Sequence, residues 1–276
     1  MPELDLPGVR LSYQDEGPHS ADEVLLLHSL FFSGAMFDAV VSAFSRRHRV
    51  LRPDHRGQGA SRPTRNLPDM DLLADDTIEL ISRVAEGPVH LVGSSMGGYV
   101  AMRVAVRRPD LVATCTLLGC TAEEEQNPER FAELERALRV HGPAACLDTL
   151  SSTMFGDTFL TDPARTSERE RWRQHFAELT PDVAEALRGV YTRTDFSAEL
   201  AGIGIPLLLV AGEQDRAKRP EDMSAIAERV PGSRLVVLDQ AGHTPVVEEP
   251  VRVAAELERW WESNPSPTSS TRKKRG

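Results

Sequence analysis

Short apolar runs alternate along the chain with longer segments in which apolar residues recur every three or four positions. The short runs are ELDL, VRLSY, VLLLH (24–28), RVLRP (49–53), PVHLVG (88–93), ATCTLLG (113–119), IPLLLVAG (205–212) and RLVVLD (234–239). They are rich in Val and Leu and nearly continuous in apolarity, which suits strands covered on both faces. Pro7-Gly8 between the first two predicts an opening hairpin. DMDLLADDTIELISRVAEG (69–87) and MGGYVAMRVAVRRPD (96–110) carry helical spacing and end near Gly or Pro. The pattern predicts an α/β fold: a doubly wound, mostly parallel sheet of about eight strands with helices on both faces.

Between about Thr121 and Phe196 the alternation stops. PERFAELERALRVHG, PAACLDTLSSTMFG, PARTSERERWRQHFAEL and TPDVAEALRGVYTR follow one another as charged helical patterns without a convincing strand. The expected organisation is a core of 1–120 and 197–262, a helical insertion over 121–196 and a disordered basic tail over 263–276. Ligands of open α/β sheets bind at the carboxyl ends of the strands, so an insertion leaving that edge is a candidate lid.

At 276 residues, with 40% hydrophobic and 27% charged residues, the chain fits one main core plus an insertion in a soluble globular protein. No run reaches the roughly 18 apolar residues of a membrane span, and MPELDLPGVR lacks the order of a secretory signal. The expected address is cytoplasmic, without membrane contact. The net charge is −10, and because RKKR (272–275) supplies +4, the preceding part carries −14. Such a body repels nucleic acid, so none is expected as a partner. Cys115, Cys120 and Cys146 lack disulfide or metal spacing and read as small buried hydrophobes.

Chemistry enters at Gly93-Ser94-Ser95-Met96-Gly97, a Gly-x-Ser-x-Gly sequence between a predicted strand and a predicted helix. A serine on that sharp turn is pushed out at the top of the sheet, with Ser95 in the nucleophile position. A hydroxyl needs a base, and the base an orienting acid. Asp215 follows the strand IPLLLVAG and His243 follows RLVVLD, which gives the order Ser, Asp, His. Glu213 competes with Asp215 for the acid role. Of the other histidines, His48, His55, His141 and His175 read as surface residues and His90 as a packed core residue. The N–H of Met96, directly after the nucleophile, is the expected first oxyanion donor. The second is assigned to the N–H of Leu30, in the loop that His28 helps to shape.

In order along the chain, LLLHSLFFSGAMFD, RPDHRGQGASRP, LVGSSMGGYVAM, LLLVAGEQD and AGHTPVVEEP resemble the oxyanion loop, Asp-x-Arg-Gly-x-Gly-x-Ser loop, nucleophile elbow, acid loop and histidine loop of the α/β-hydrolase superfamily. The resemblance spans about residues 9 to 262 and implies that fold with a helical cap at the usual insertion point. Two positions depart from the family pattern. His28-Ser29 stands where His-Gly is common, which places Ser29 at a turn expected to need positive φ, and Gln58 stands where His is usual. Ser29-Leu30, the chain length and the cap size are similar to those of 3-oxoadipate enol-lactonases. Serine at the elbow argues against the haloalkane dehalogenases and epoxide hydrolases of this superfamily, which use aspartate there.

The function expected from these residues is cofactor-independent serine hydrolysis of a small carboxylic ester or lactone, through an acyl-enzyme on Ser95 with His243 as base. Such a base predicts a rate that falls below about pH 6.5. The alternatives are an enol-lactonase-like lactone hydrolase specifically, a C–C bond hydrolase, a perhydrolase or, from another class, a binding protein without turnover. Phe31, Phe32, Met154 and Trp172 are the expected substrate-binding residues, whereas Phe131, Phe155, Phe159, Phe176 and Tyr191 are expected to pack the insertion. Neither a Gly-x-Gly-x-x-Gly nor a Walker loop is present, and no ligand spacing calls for a metal, so no cofactor is expected.

Overall fold

The computed structural model describes residues 1–62 and 68–267. β1 (Glu3–Leu6) turns back at Pro7-Gly8 into β2 (Val9–Glu16), the predicted hairpin, with Leu6 opposite Val9. β3 (Asp22–Leu27), α1 (Asp38–Phe44), β4 (His48–Pro53), α2 (Met70–Val84), β5 (Val89–Ser94), α3 (Met96–Arg107) and β6 (Val112–Leu118) then alternate. Helix α2 begins at Asp69, whose side chain accepts the Leu72 N–H and so satisfies one of the donors that a helix start leaves open. Its buried face, including Leu73, Leu80 and Ile81, packs on α3.

After β6 come α4 (Pro128–His141), α5 (Leu147–Met154), α6 (Asp157–Thr161), α7 (Thr166–Ala177) and α8 (Val183–Tyr191), and the chain returns to the sheet only at β7 (Leu207–Gly212). The break in alternation is therefore a break in the sheet. Asn127 caps α4 by accepting the Arg130 N–H, with Pro128 at the first helical position. Helix α8 packs against α4 and buries Val183, Ala184, Leu187 and Val190. The last elements are α9 (Pro220–Arg229), β8 (Arg234–Leu238), α10 (Pro245–Glu248) and α11 (Pro250–Ser263).

The sheet order is β1-β2-β4-β3-β5-β6-β7-β8. The pairs β1–β2 and β2–β4 are antiparallel and the rest are parallel. β5 and β7 are buried at every position, as covering on both faces requires, while β8 at the edge is buried only at Leu238. The chain passes from β3 outward to β4 and, from β5 on, outward in the other direction, so the strand order reverses between the neighbours β3 and β5. Ligands of open sheets bind outside that reversal. Leu27 pairs with Gly93 there, so the loops after β3 and β5 leave the sheet side by side.

One expectation about the periphery changes. Ser263 closes α11, and Ser266 is buried with its hydroxyl donating to Pro88 O at 3.1 Å, so the start of the expected tail is packed on the core. Residues 268–276, including RKKR, lie outside the described residues. The three cysteines are free and buried, and burial pushes the Cys120 thiol up to about 12, as expected of packing atoms. Among the described residues no helix is long and apolar enough to cross a membrane.

Candidate active site

Ser95 sits between β5 and α3 at φ 50, ψ −109, one of two non-glycine residues with positive φ among the described residues. That conformation costs on the order of 1–3 kcal/mol and persists only where its surroundings impose it. Here β5 and α3 approach too closely for side chains: a Cβ on Gly93 would lie 2.2 Å from Gly97 O, and one on Gly97 would lie 2.2 Å from Leu27 O. The Ser95 N–H is spent on Leu118 O at 2.8 Å, while its carbonyl accepts Gly98 N at 2.8 Å and Tyr99 N at 3.1 Å. The main chain is fully engaged, and the hydroxyl is left to point toward the loops.

One of those loops carries His243. Its Nε2 lies 2.8 Å from Ser95 Oγ, and its Nδ1 lies 2.8 Å from Asp215 Oδ2. Asp215 and not Glu213 makes this contact. The other oxygen of Asp215 accepts Ala217 N at 2.7 Å and Lys218 N at 2.8 Å, which fixes the carboxylate from its own loop. With Nδ1–H donating to Asp215, Nε2 is the acceptor for the Ser95 proton. Lys218 Nζ also reaches Glu125 at 3.0 Å. Burial works against that charge, but Lys218, the Asn127 N–H and Arg193 together hold the Glu125 carboxyl below its ordinary value.

The loop after β3 lies opposite. Met96 opens α3, where a helix leaves its N–H without an intrahelical acceptor. No hydrogen bond among the described residues engages the Leu30 N–H. The expected strain at Ser29 falls elsewhere: Ser29 is not among the positive-φ residues, and the left-handed residue is Phe31 at φ 70. The turn closes by Phe32 N on Ser29 O at 3.2 Å, and His175 of α7 donates from Nε2 to Phe31 O at 3.0 Å. Gln58 lies against the elbow with Nε2 3.6 Å from Met96 Sδ, and its Oε1 is buried without a partner.

Phe31, Phe32, Met154 and Trp172 are all buried. The structure brings two of them together, since Phe32 meets Trp172 edge-on at 5.0 Å, within a cluster that includes Phe155 at 6.2 Å and Phe176 at 5.3 Å. The indole N–H of Trp172 has no partner. The Met154 carbonyl accepts the Thr244 hydroxyl at 2.8 Å, beside His243.

The surface assignment of histidines needs correction. His55 is 3% exposed, because its loop is tucked under the one that carries His28, and the Arg56 beside it is buried too. His175 and His48 are half-buried against aromatic rings, His141 is exposed, and His90 is a core residue bonded to Thr114 Oγ1 at 2.9 Å. Sequence reasoning missed two residues outright. Gly119 turns at φ +54 behind the Asp215–His243 pair, and a Cβ there would lie 3.2 Å from Asp215 Oδ2 and 3.4 Å from His243 Nδ1. Glu248 is a buried carboxylate that accepts the N–H groups of Gly242 and Thr244. Its place five residues beyond the histidine was the available signal.

Comparison with known proteins agrees with the fold. Residues 24–256 match the model of the Alpha/beta hydrolase family. RutD of Pseudomonas savastanoi pv. phaseolicola, a candidate carbamate hydrolase, is 27% identical over 217 residues, which cover 76% of this chain and 82% of that protein. 3-Oxoadipate enol-lactonase 1 of Acinetobacter baylyi is 26% identical over 244 residues, 88% of this chain and 90% of the relative. The structure of a thermophilic esterase from Thermogutta terrifontis superposes with a TM-score of 0.87 at 27% identity, covering 95% of this chain and 99% of that one.

Proposed function

We propose, from the premise that this chain belongs to the alpha/beta hydrolase family, that it hydrolyses a small carboxylic ester or lactone through an acyl-enzyme on Ser95. The observation that carries the reading is the unbroken chain from Asp215 Oδ2 through both ring nitrogens of His243 to Ser95 Oγ, with both contacts at 2.8 Å. His243 takes the proton as Ser95 Oγ attacks the carbonyl carbon, and Asp215 keeps the ring oriented and stabilises its cation. The N–H groups of Leu30 and Met96 hold the oxyanion, each worth about 3 kcal/mol by analogy with single-donor deletions. When the intermediate collapses, His243 returns the proton to the leaving oxygen. It then activates water to release the acyl group, and a lactone, whose leaving oxygen stays tethered, yields one ring-opened product. No cofactor is needed for any of these steps.

The similarity to an enol-lactonase and an esterase supports this choice of substrate class. Helices α4 to α8 act as the cap, and Phe31, Phe32, Met154 and Trp172 form the apolar wall that selects the acyl or alcohol part. Fluorophosphonate labelling, mapped by peptide mass spectrometry, tests the reading. A stoichiometric adduct on Ser95, absent in Ser95→Ala and lost or slowed at least a hundredfold in His243→Ala, is expected. A folded wild-type protein that takes no label would overturn it and favour a binding protein without turnover.

A further inference from the structure

We propose that Glu248 is a positioning residue that holds His243 and the cap in register, an assignment that rests on His243 being the base. Glu248 ends α10 and is only 2% exposed. Its Oε2 accepts Gly242 N at 2.9 Å and Gly156 N at 2.7 Å, and its Oε1 accepts Thr244 N at 3.0 Å. The residues on either side of His243 thus hang from one carboxylate. The third donor, Gly156, joins α5 to α6 in the helical segment. The seam is tight, since a Cβ on Gly242 would lie 2.2 Å from Gly156 N. Three more hydrogen bonds close it: Thr244 Oγ1 donates to Met154 O at 2.8 Å, and Arg165 donates to Val247 O and Glu248 O at 2.7 Å and 2.8 Å.

A charge buried this deeply is expensive, and burial raises the Glu248 carboxyl above its ordinary value against the pull of the surrounding N–H groups. A carboxylate does something that no neutral group of its size can do, because both its oxygens accept and three N–H groups converge on them. Glutamine has the same shape but offers one acceptor, and its amide turns a donor toward a donor. The Ser95 contact depends on where the His243 backbone is held, and a displacement of about 1 Å at a reacting group costs about a hundredfold in rate. Cap and base are therefore set by the same group, so a shift of Gly156 is felt at His243.

The test compares wild type, Glu248→Gln and Glu248→Asp as full-length proteins, with Leu257→Ala in α11 as a control for lost stability. The readouts are p-nitrophenyl acetate kinetics, the rate of fluorophosphonate labelling, and the His243 Nε2 to Ser95 Oγ distance in crystals of each variant. In Glu248→Gln, kcat and the labelling rate should fall together by about 30- to 100-fold with KM unchanged, and the distance should open beyond hydrogen-bond range. Glu248→Asp, charged but one methylene short, should fall between the two, while Leu257→Ala stays within about threefold of wild type below its melting range. A Gln variant with near wild-type kcat, or with the 2.8 Å contact intact, would overturn the proposal. If Gln does not fold, an unchanged kcat in the Asp variant overturns it equally. If wild-type Ser95 takes no label, the hydrolase reading fails, and the crystallographic distance still decides the positioning claim.

Discussion

The backbone N–H of His55 donates to Nε2 of His28 at 2.8 Å, and that bond decides where the His28 ring carries its proton. With Nε2 accepting, the hydrogen sits on Nδ1 and donates to Ser29 O at 2.8 Å. Burial lowers His28 and takes His55 well below its ordinary value, so both rings stay neutral at working pH. His28 links the loops after β3 and β4 and shapes the turn that presents Leu30.

His28→Ala should therefore cost about 1–3 kcal/mol, since the His55 N–H is left buried without an acceptor. The Leu30 turn should loosen, lowering kcat tenfold or more while Ser95 still labels slowly. Urea denaturation and ester kinetics check the two effects, and a variant of unchanged kcat would remove His28 from the support of the oxyanion site.

Gly119→Ala should act on the proposed base from behind, through Asp215 and His243. Left-handed backbone costs a non-glycine residue about 1–2 kcal/mol, and the new methyl presses on both Asp215 and His243. The expected result is a modest drop in melting temperature with a loss of kcat of more than tenfold. A drop in stability alone would show that the pair yields to the methyl at no catalytic loss.

Arg56 and Asp76 form a buried bidentate pair, at 2.6 and 2.8 Å, that anchors the loop after β4 to α2. Burial pushes the Asp76 carboxyl up although Arg56 pulls it down, so the pair balances a high desolvation cost. Asp76→Ala leaves the guanidinium uncompensated and should cost about 3–5 kcal/mol by urea denaturation. A cost below about 1 kcal/mol would mean that water reaches the site.

Burial lowers His90 to about 3. Below about pH 6.5 the unfolded chain binds a proton at this residue that the folded chain refuses, so stability falls with pH until about 3, where the folded ring protonates as well. Between pH 7 and 5 the contribution is a loss of about 2 kcal/mol. Replacing His90 by Leu and its partner Thr114 by Val should remove that share. His28, His48, His55 and His175, all lowered by burial, keep a slope of the same sign. Equal losses in wild type and double variant would refute the assignment.

The strands were legible because each is a short Val- and Leu-rich run bounded by turn residues, a local pattern that needs no partner to be recognised. Ser95, Asp215 and His243 were legible for a related reason, since each directly follows such a run on the same edge of the sheet. What escaped was set by packing between distant segments. The burial of His55 depends on His28, the turn at Gly119 faces Asp215 and His243 far downstream, and Glu248 depends on donors from two loops. The left-handed turn falls at Phe31 in place of Ser29, where His175 from a distant helix bonds the Phe31 carbonyl.

The packing of Ser266 against Pro88 also has a practical side. Pro88 immediately precedes β5, whereas Ser95 follows its other end. The last described residues of the chain therefore lie at the end of β5 away from Ser95. A tether attached at Ser266 would start from the end of β5 opposite Ser95.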